Sequence, residues 1–574
     1  MALDTLSREV GFVSKPHGGR LRVALAFPNS YFVGMSNLGL QTVYRLFNAD
    51  ERVVCERVFL PPRQQLAALR SSRAPLVTLE SQTPVRDFDV FAFSVSFEWD
   101  YTNVVTLLRL AGLEPRAGRR HRLDPLVVIG GAVTFVNPEP LAPFADVIAA
   151  GEAERLVPDL VDAFAGGGGR EELLAGLAAR RGFYVPALYD VIYAGPGRVA
   201  AIQPKPGRVA PPVVRKAAVK TTERLDPPST SIFTPDTEFG SRLLIEVVRG
   251  CANLCRFCWA GYNYLPVRPF SADRILAIAE AARPHANRVG LVSIALCDHP
   301  EIERILGSLV EMGYGISPAS LRLDDLTPTI VGLLRQSGER SITIAPETGS
   351  DRLRRVINKT MTNDEILDRA DLIFRSGIEN LKLYYMVGLP SETDEDLVAI
   401  RDLTLQIRDV MLRHARARGA VGRIVASVNP LIPKPGTTYQ WMPMIDAGAI
   451  ERTTGRVRAL TAGVDNVYFN IKSERHSYYQ GLLSLGDRRV ADVIERAEAN
   501  GQNWRQAVAD AGLDADAYLY RDRRDDPFLP WQIIDGGMKV DFFRAELEKS
   551  ARAEWTLPPK RLAENARLLP VLDP

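Results

Sequence analysis

Cysteine is scarce: the 574-residue chain has five, and three of them lie between Cys251 and Cys258. So few thiols, mostly clustered, exclude a disulfide framework and fit metal chemistry in a reducing compartment. No stretch approaches the roughly 18 consecutive apolar residues of a membrane-spanning helix. The segment Met1 to Val10 lacks the basic-then-apolar order of a secretion signal, so a cytoplasmic location without a membrane partner is expected. Charge of one sign is not in excess either. Seventy-one basic against sixty-nine acidic residues give a formal +2, which favours neither a polyanion-binding nor a membrane-surface role. Without a dense Lys/Arg tract or a recognised nucleic-acid module, nucleic acid is not indicated as a partner.

What the chain has is length and apolar content. At 574 residues and 46% hydrophobic it exceeds the size of a single core, so two or three domains are expected. Apolar runs at 21–28, 53–59, 76–79, 90–95, 126–129 and 147–150 alternate with helical stretches such as 101–113, and Asn37 is placed to cap a helix through Phe47. That alternation predicts an α/β fold whose residues 1–170 form a Rossmann-like, doubly wound, mostly parallel sheet. Gly130-Gly131 and Gly151 fall at strand ends, where glycine either relieves a turn or admits a ligand. Residues 171–239, rich in proline and poor in strand signals, read as an extended connector. From 240 to 454 the alternation resumes with six strands, at 243–249, 289–296, 319–322, 341–345, 381–387 and 424–428, which suits a partial (β/α)6 barrel with its chemistry at the strand carboxyl ends. Residues 455–574 read as a small C-terminal extension.

Cys251, Cys255 and Cys258 follow the first of those six strands directly, after Gly250. Three thiolates at CxxxCxxC spacing can converge on an iron-sulfur cluster, filling three of four irons and leaving one open. Zinc is the competing reading, but no close fourth ligand is visible; the nearest downstream candidates are His285, Cys297 and His299. Cys55, within an apolar run, reads as core. Cys297 reads as a small buried hydrophobe or as a second thiol at the active face.

CxxxCxFC, with Phe257 before the third cysteine, resembles the signature of the radical S-adenosylmethionine (SAM) superfamily. The segments Phe32 to Gly39, Asn137 to Pro140 and Ala345 to Ser350 extend the similarity over nearly the whole chain, to an uncharacterised branch with a cobalamin-binding-like first domain. The resemblance implies a [4Fe-4S] cluster whose open iron chelates SAM, reductive cleavage to a 5′-deoxyadenosyl radical, and an electron donor of the flavodoxin or ferredoxin type. It adds cobalamin as a candidate cofactor and methyl transfer as a candidate reaction. A non-catalytic iron-sulfur sensor or scaffold is the alternative from another class. Methylthiolation is disfavoured, because only Cys55 precedes Cys251 and a second cluster would lack ligands. The Asp-x-His-x-x-Gly lower-ligand pattern is absent, with Asn37 near the place of the histidine. Any cobalamin is therefore expected without a histidine on cobalt, its tail threaded near Asn29 to Gly39 and Gly130 to Val133.

Candidate SAM contacts lie at strand ends. Glu347, beside small hydroxyl residues, can accept from an ammonium or ribose hydroxyl, although Ser350 with Asp351 also reads as a helix cap. Arg322 suits bidentate pairing with a carboxylate, or pairs with Asp324 or Asp325 instead. Gly388 and Leu389 resemble the superfamily's adenine-side turn, though Pro390 also reads as a helix start. Ser293 stands where related enzymes place a glycine pair that this sequence lacks. Lys382 and Tyr384 share one strand face and Tyr385 takes the other.

Overall fold

The computed structural model describes residues 2–557 other than Ser320, Asp324 and Asp325. The chain divides into two compact units: one of residues up to 220 with 228–241 and 480–537, the other of 221–227, 242–479 and 538 onward. These lines differ from the expected ones, because the segments after 479 pack with different parts of the chain.

In the first unit, β1 (Leu21–Phe27), β2 (Val53–Phe59), β3 (Val90–Ser94), β4 (Leu126–Gly130), β5 (Val147–Ala149) and β6 (Phe183–Tyr184) form one sheet. Their order is β2-β1-β3-β4-β5-β6, parallel except for β6. β3 is Val-Phe-Ala-Phe-Ser, every residue buried, as the centre of a sheet covered on both faces requires. Helices 38–49 and 153–165 bury Leu40, Tyr44, Leu156 and Leu160 on one face of the sheet. Asn37 caps the first of these, its Oδ1 accepting from the Leu40 amide at 2.9 Å. The run 76–79 makes only an isolated bridge between Val77 and Pro84.

The proline-rich connector is not free of strands. β7 (Tyr189–Gly195) and β8 (Arg198–Pro204) form an antiparallel hairpin, and β9 (Val214–Arg215) pairs with residues 534–535. Pro204, Pro206, Pro211 and Pro212 fall at or beyond the end of β8, where no ladder amide is lost.

The second unit opens with β10 (Leu243–Arg249), β11 (Arg268–Pro269), β12 (Arg288–Ser293) and β13 (Gly315–Pro318), ordered β11-β10-β12-β13. A second ladder runs β14 (Ser341–Glu347), β15 (Asn380–Val387), β16 (Ile424–Pro430) and β17 (Val467–Ile471). Among the described residues of this unit β11 alone is antiparallel, so seven parallel strands replace the expected six. The addition is β17, which lies past the expected boundary at 454. The third strand lies just before the expected 319–322, because Gly315-Ile-Ser-Pro318, four residues with one glycine and one proline, is too short and weakly strand-like to stand out. Leu321 still donates its amide to the Thr343 carbonyl at 3.2 Å, linking the two ladders. On β15, Tyr385 is buried against the helix layer with its hydroxyl 3.0 Å from Thr404, leaving Lys382 and Tyr384 on the opposite face.

Candidate functional site

β10 ends at Arg249, and the chain turns through Gly250 at φ 95°. A Cβ there would stand 2.5 Å from the Tyr264 carbonyl oxygen, so the turn admits only glycine. The loop that follows carries Cys251 and Cys255, both buried, and the half-buried Cys258; none of them is in a disulfide. Leu254 between them holds a left-handed φ of 52°, the kind of backbone strain that persists where the surroundings fix a loop. The Gly261 amide donates to Cys258 Sγ at 3.4 Å.

Burial pushes all three thiols up, Cys258 to about 11. Lys359 opposes this at each of them, and Arg322 does so at Cys251. Thiolates in such a place call for a metal partner, which deprotonates a coordinating sulfur outright. Among the described residues no three His, Cys, Asp or Glu side chains are placed to hold a single metal ion. Ligands of a four-iron cluster each bind a different iron and need not meet at one point. Asn253, inside the loop, has a buried Oδ1 with no partner, and it lines a small cavity with Arg322, Lys359 and Thr360. Three soft donors, two nearby cations and an orphaned acceptor fit an iron-sulfur cluster with an open iron.

The other candidates lie at the ends of neighbouring strands. Glu347 closes β14 after a register shift, at φ 66°, and faces Lys359 Nζ at 3.5 Å. Burial raises its carboxyl, and Lys359 draws it back. Ser350 caps the helix Asp351–Ile357 through its hydroxyl, and that helix ends at Asn358 in the left-handed conformation. Lys359 then folds back, its amide 2.8 Å from the Arg354 carbonyl. Arg322 pairs with Asp298 at 3.0 Å; Asp324 and Asp325, the partners expected from sequence, lie outside the described residues. The Ser293 hydroxyl donates to the Val248 carbonyl at 3.1 Å and accepts from the Ala295 amide at 3.0 Å, joining the ends of β10 and β12. Gly388, at φ 76°, donates its amide to Glu392 at 2.9 Å, and the Leu389 amide bonds the same carboxyl. Cys297 is half-buried in the turn after β12 and lines a groove with Glu301, Arg304 and Arg369. Cys55 is fully buried in β2.

Sequence reasoning missed Lys359, Asp298 and Glu392. Asn358 was the available signal for Lys359, since a left-handed residue after a helix returns the next side chain toward the preceding turn.

In the first unit the strand order reverses between β1 and β3, where a sheet of this order holds its ligands. The loops on either side of that point are stitched together. Asn29 donates to Asp100 at 2.8 Å, Asn37 to Ser96 at 3.2 Å, and Asn103 to the Pro28 carbonyl at 2.8 Å. Asn37 thus gives its amide oxygen to the helix cap and its amide nitrogen to Ser96. A Cβ on Gly131 would lie 2.2 Å from the Val95 carbonyl oxygen, and one on Gly34 would lie 2.5 Å from the Phe59 ring. Gly151 meets Ala217 in the same way, at 2.1 Å. These glycines serve close backbone packing. Asn137, for its part, donates to the carbonyls of Ser484 and Gly486, and Glu139 binds Arg488 at 2.8 Å. Residues 29–39 and 130–133, where a cobalamin tail is expected, are held against residues 95–103 by these contacts.

Parallel α/β units, one carrying a three-cysteine loop at a strand carboxyl end, define an iron-sulfur protein of barrel type. The chain belongs to the radical SAM superfamily. The superfamily model matches residues 245–404, and the model for the N-terminal region of radical SAM proteins matches 39–186. Membership brings a [4Fe-4S] cluster and SAM as cofactors. An uncharacterized protein of Methanocaldococcus jannaschii is 28% identical over 479 residues, which are 82% of this chain and 90% of that one. Among solved structures, the radical SAM methyltransferase TsrM from Kitasatospora setae, with cobalamin and a [4Fe-4S] cluster bound, superposes with a TM-score of 0.51. It is 14% identical, covering 93% of this chain and 99% of that one. The cobalamin-dependent radical SAM enzyme OxsB gives a TM-score of 0.48 at 12% identity, over 94% of this chain and 85% of its own. No helix among the described residues is long and apolar enough to cross a membrane.

Proposed function

We propose that this protein cleaves SAM reductively and uses the resulting 5′-deoxyadenosyl radical to take hydrogen from a substrate. The observation that carries the reading is the loop after β10, where three buried or half-buried thiols share their surroundings with Lys359, Arg322 and the unpartnered Oδ1 of Asn253. Cys251, Cys255 and Cys258 would hold a [4Fe-4S] cluster, which would supply the electron for cleavage and one open iron for SAM.

The chain's own residues hold and orient SAM. Glu347 accepts from its ammonium or a ribose hydroxyl, with Lys359 opposing the upward push of burial on the carboxyl. Arg322, fixed by Asp298, presents its guanidinium to the carboxylate. At Gly388 and Leu389 both amides are engaged by Glu392, so an adenine contact there uses the Gly388 carbonyl. Ser293 positions the β12 turn. A small redox protein of the flavodoxin or ferredoxin type delivers the electron. The packing of the first unit argues against methyl transfer through a corrin whose tail is threaded there.

The test is SAM binding to anaerobically reconstituted protein. SAM is expected to change the electron paramagnetic resonance spectrum of the reduced cluster in the wild type, and to change it less in Glu347→Gln. A spectrum indifferent to SAM would count against the reading.

A further inference from the structure

Arg256 sits between two cluster cysteines and is wholly buried. Its Nε lies 3.1 Å from Glu546, also buried, on the C-terminal helix Val540–Ala551. Its other nitrogens donate to the carbonyls of Arg355 at 2.7 Å, Val356 at 2.9 Å and Glu554 at 2.8 Å. The Arg256 amide reaches the Ile357 carbonyl at 3.0 Å. One side chain thus joins the cysteine loop to the end of the helix that follows Glu347, and both of these to the C-terminal segment.

A second clasp lies beside the first. Asn358 donates to the carbonyls of Asn253 and Leu254 in the cysteine loop and of Thr556, and it accepts from the Thr556 amide at 2.9 Å. The Thr556 hydroxyl bonds Glu546, whose third partner is Lys549 at 3.1 Å. Tyr262 donates to the Leu254 carbonyl at 3.1 Å and packs edge-on against Phe543 of the same C-terminal helix.

We propose that residues 538–557 are a positioning element for the cluster: Glu546 and Thr556, acting through Arg256 and Asn358, hold the cysteine loop in register with the Glu347 helix. Groups behind metal ligands fix ligand orientation and metal retention in this way. The inference rests on the cluster reading above and extends it to a segment some 290 residues away in the chain.

The experiment uses the full chain, reconstituted anaerobically, as wild type, Glu546→Gln, Glu546→Asp and Thr556→Val. Iron release to a chelator is expected to be roughly tenfold faster or more in Glu546→Gln, the usual cost of losing such a partner. Its reduced-cluster resonance spectrum should shift, and Glu546→Asp should restore part of both effects. Hydrogen exchange at Cys255 to Cys258 in the metal-free protein should quicken in Glu546→Gln and Thr556→Val. Unchanged release, spectrum and exchange in both variants overturn the proposal. If Glu546→Gln does not fold, Thr556→Val decides alone on release and exchange. If the wild type loads no iron, the cluster reading fails, while the exchange measurement still decides whether the segment holds the loop.

Discussion

Glu347 and Lys359 face one another at 3.5 Å, both largely buried, the carboxylate on a left-handed residue ending a strand and the ammonium just past a helix end. Burial raises the Glu347 carboxyl, and Lys359 is what opposes it. Lys359→Met should therefore cost about 1–3 kcal/mol, the penalty of a buried polar group left unsatisfied. Glu347→Gln combined with Lys359→Met should recover part of that loss. Thermal unfolding of the metal-free proteins is the check; a single variant as stable as the wild type would show that the pair is slack.

Glu392 grips the turn at Gly388 and Leu389, and burial pushes its carboxyl up to about 7 from an ordinary 4.5. Between those values the folded chain holds a proton that the unfolded chain releases. The group's contribution to stability is then complete below the lower value and lost as pH rises through the upper one. Wild type should lose more melting temperature between pH 5 and 8 than Glu392→Gln does. Equal losses would assign the pH dependence elsewhere.

Asn137, Glu139, Tyr184 and Arg488 form a buried network within the first unit. Arg488→Met leaves the fully buried Glu139 without its cation, and the expected cost is about 3–5 kcal/mol. Denaturant unfolding measures it. A cost below about 1 kcal/mol, the value of an exposed pair, would contradict the buried network.

The stitched loops between β1 and β3 predict that the protein retains no corrin. After anaerobic incubation with hydroxocobalamin and desalting, the ultraviolet-visible spectrum should show none. Stoichiometric retained corrin would mean that the bonds of Asn29, Asn37 and Asn103 open to admit it.

Much of this architecture is local in origin and therefore legible. The runs that became β1 to β5 and the cap at Asn37 are set by side chains within a few residues of each other, and the cysteine spacing lies within one loop. What escaped reading depends on distant partners. Arg256 is an unremarked arginine in sequence, and its role exists because Glu546 reaches it. Asn137 to Pro140 carried only a family resemblance in sequence, because its partners are at 484–488. β17 is only the five residues Val-Tyr-Phe-Asn-Ile and stands among charged neighbours past the expected boundary, which hid it. The division of the C-terminal segments between two units has no signature in composition, since each piece is an ordinary amphipathic helix or turn.

The most direct test of the central claim is reductive cleavage of SAM. Reconstituted protein should hold about four irons per chain, as one cluster requires. With SAM and a strong reductant it should release 5′-deoxyadenosine, and the Cys251→Ala, Cys255→Ala, Cys258→Ala triple variant should release none. A protein that binds its cluster yet yields no 5′-deoxyadenosine, even with broad cell extracts as a substrate source, would contradict the account and favour a non-catalytic iron-sulfur protein.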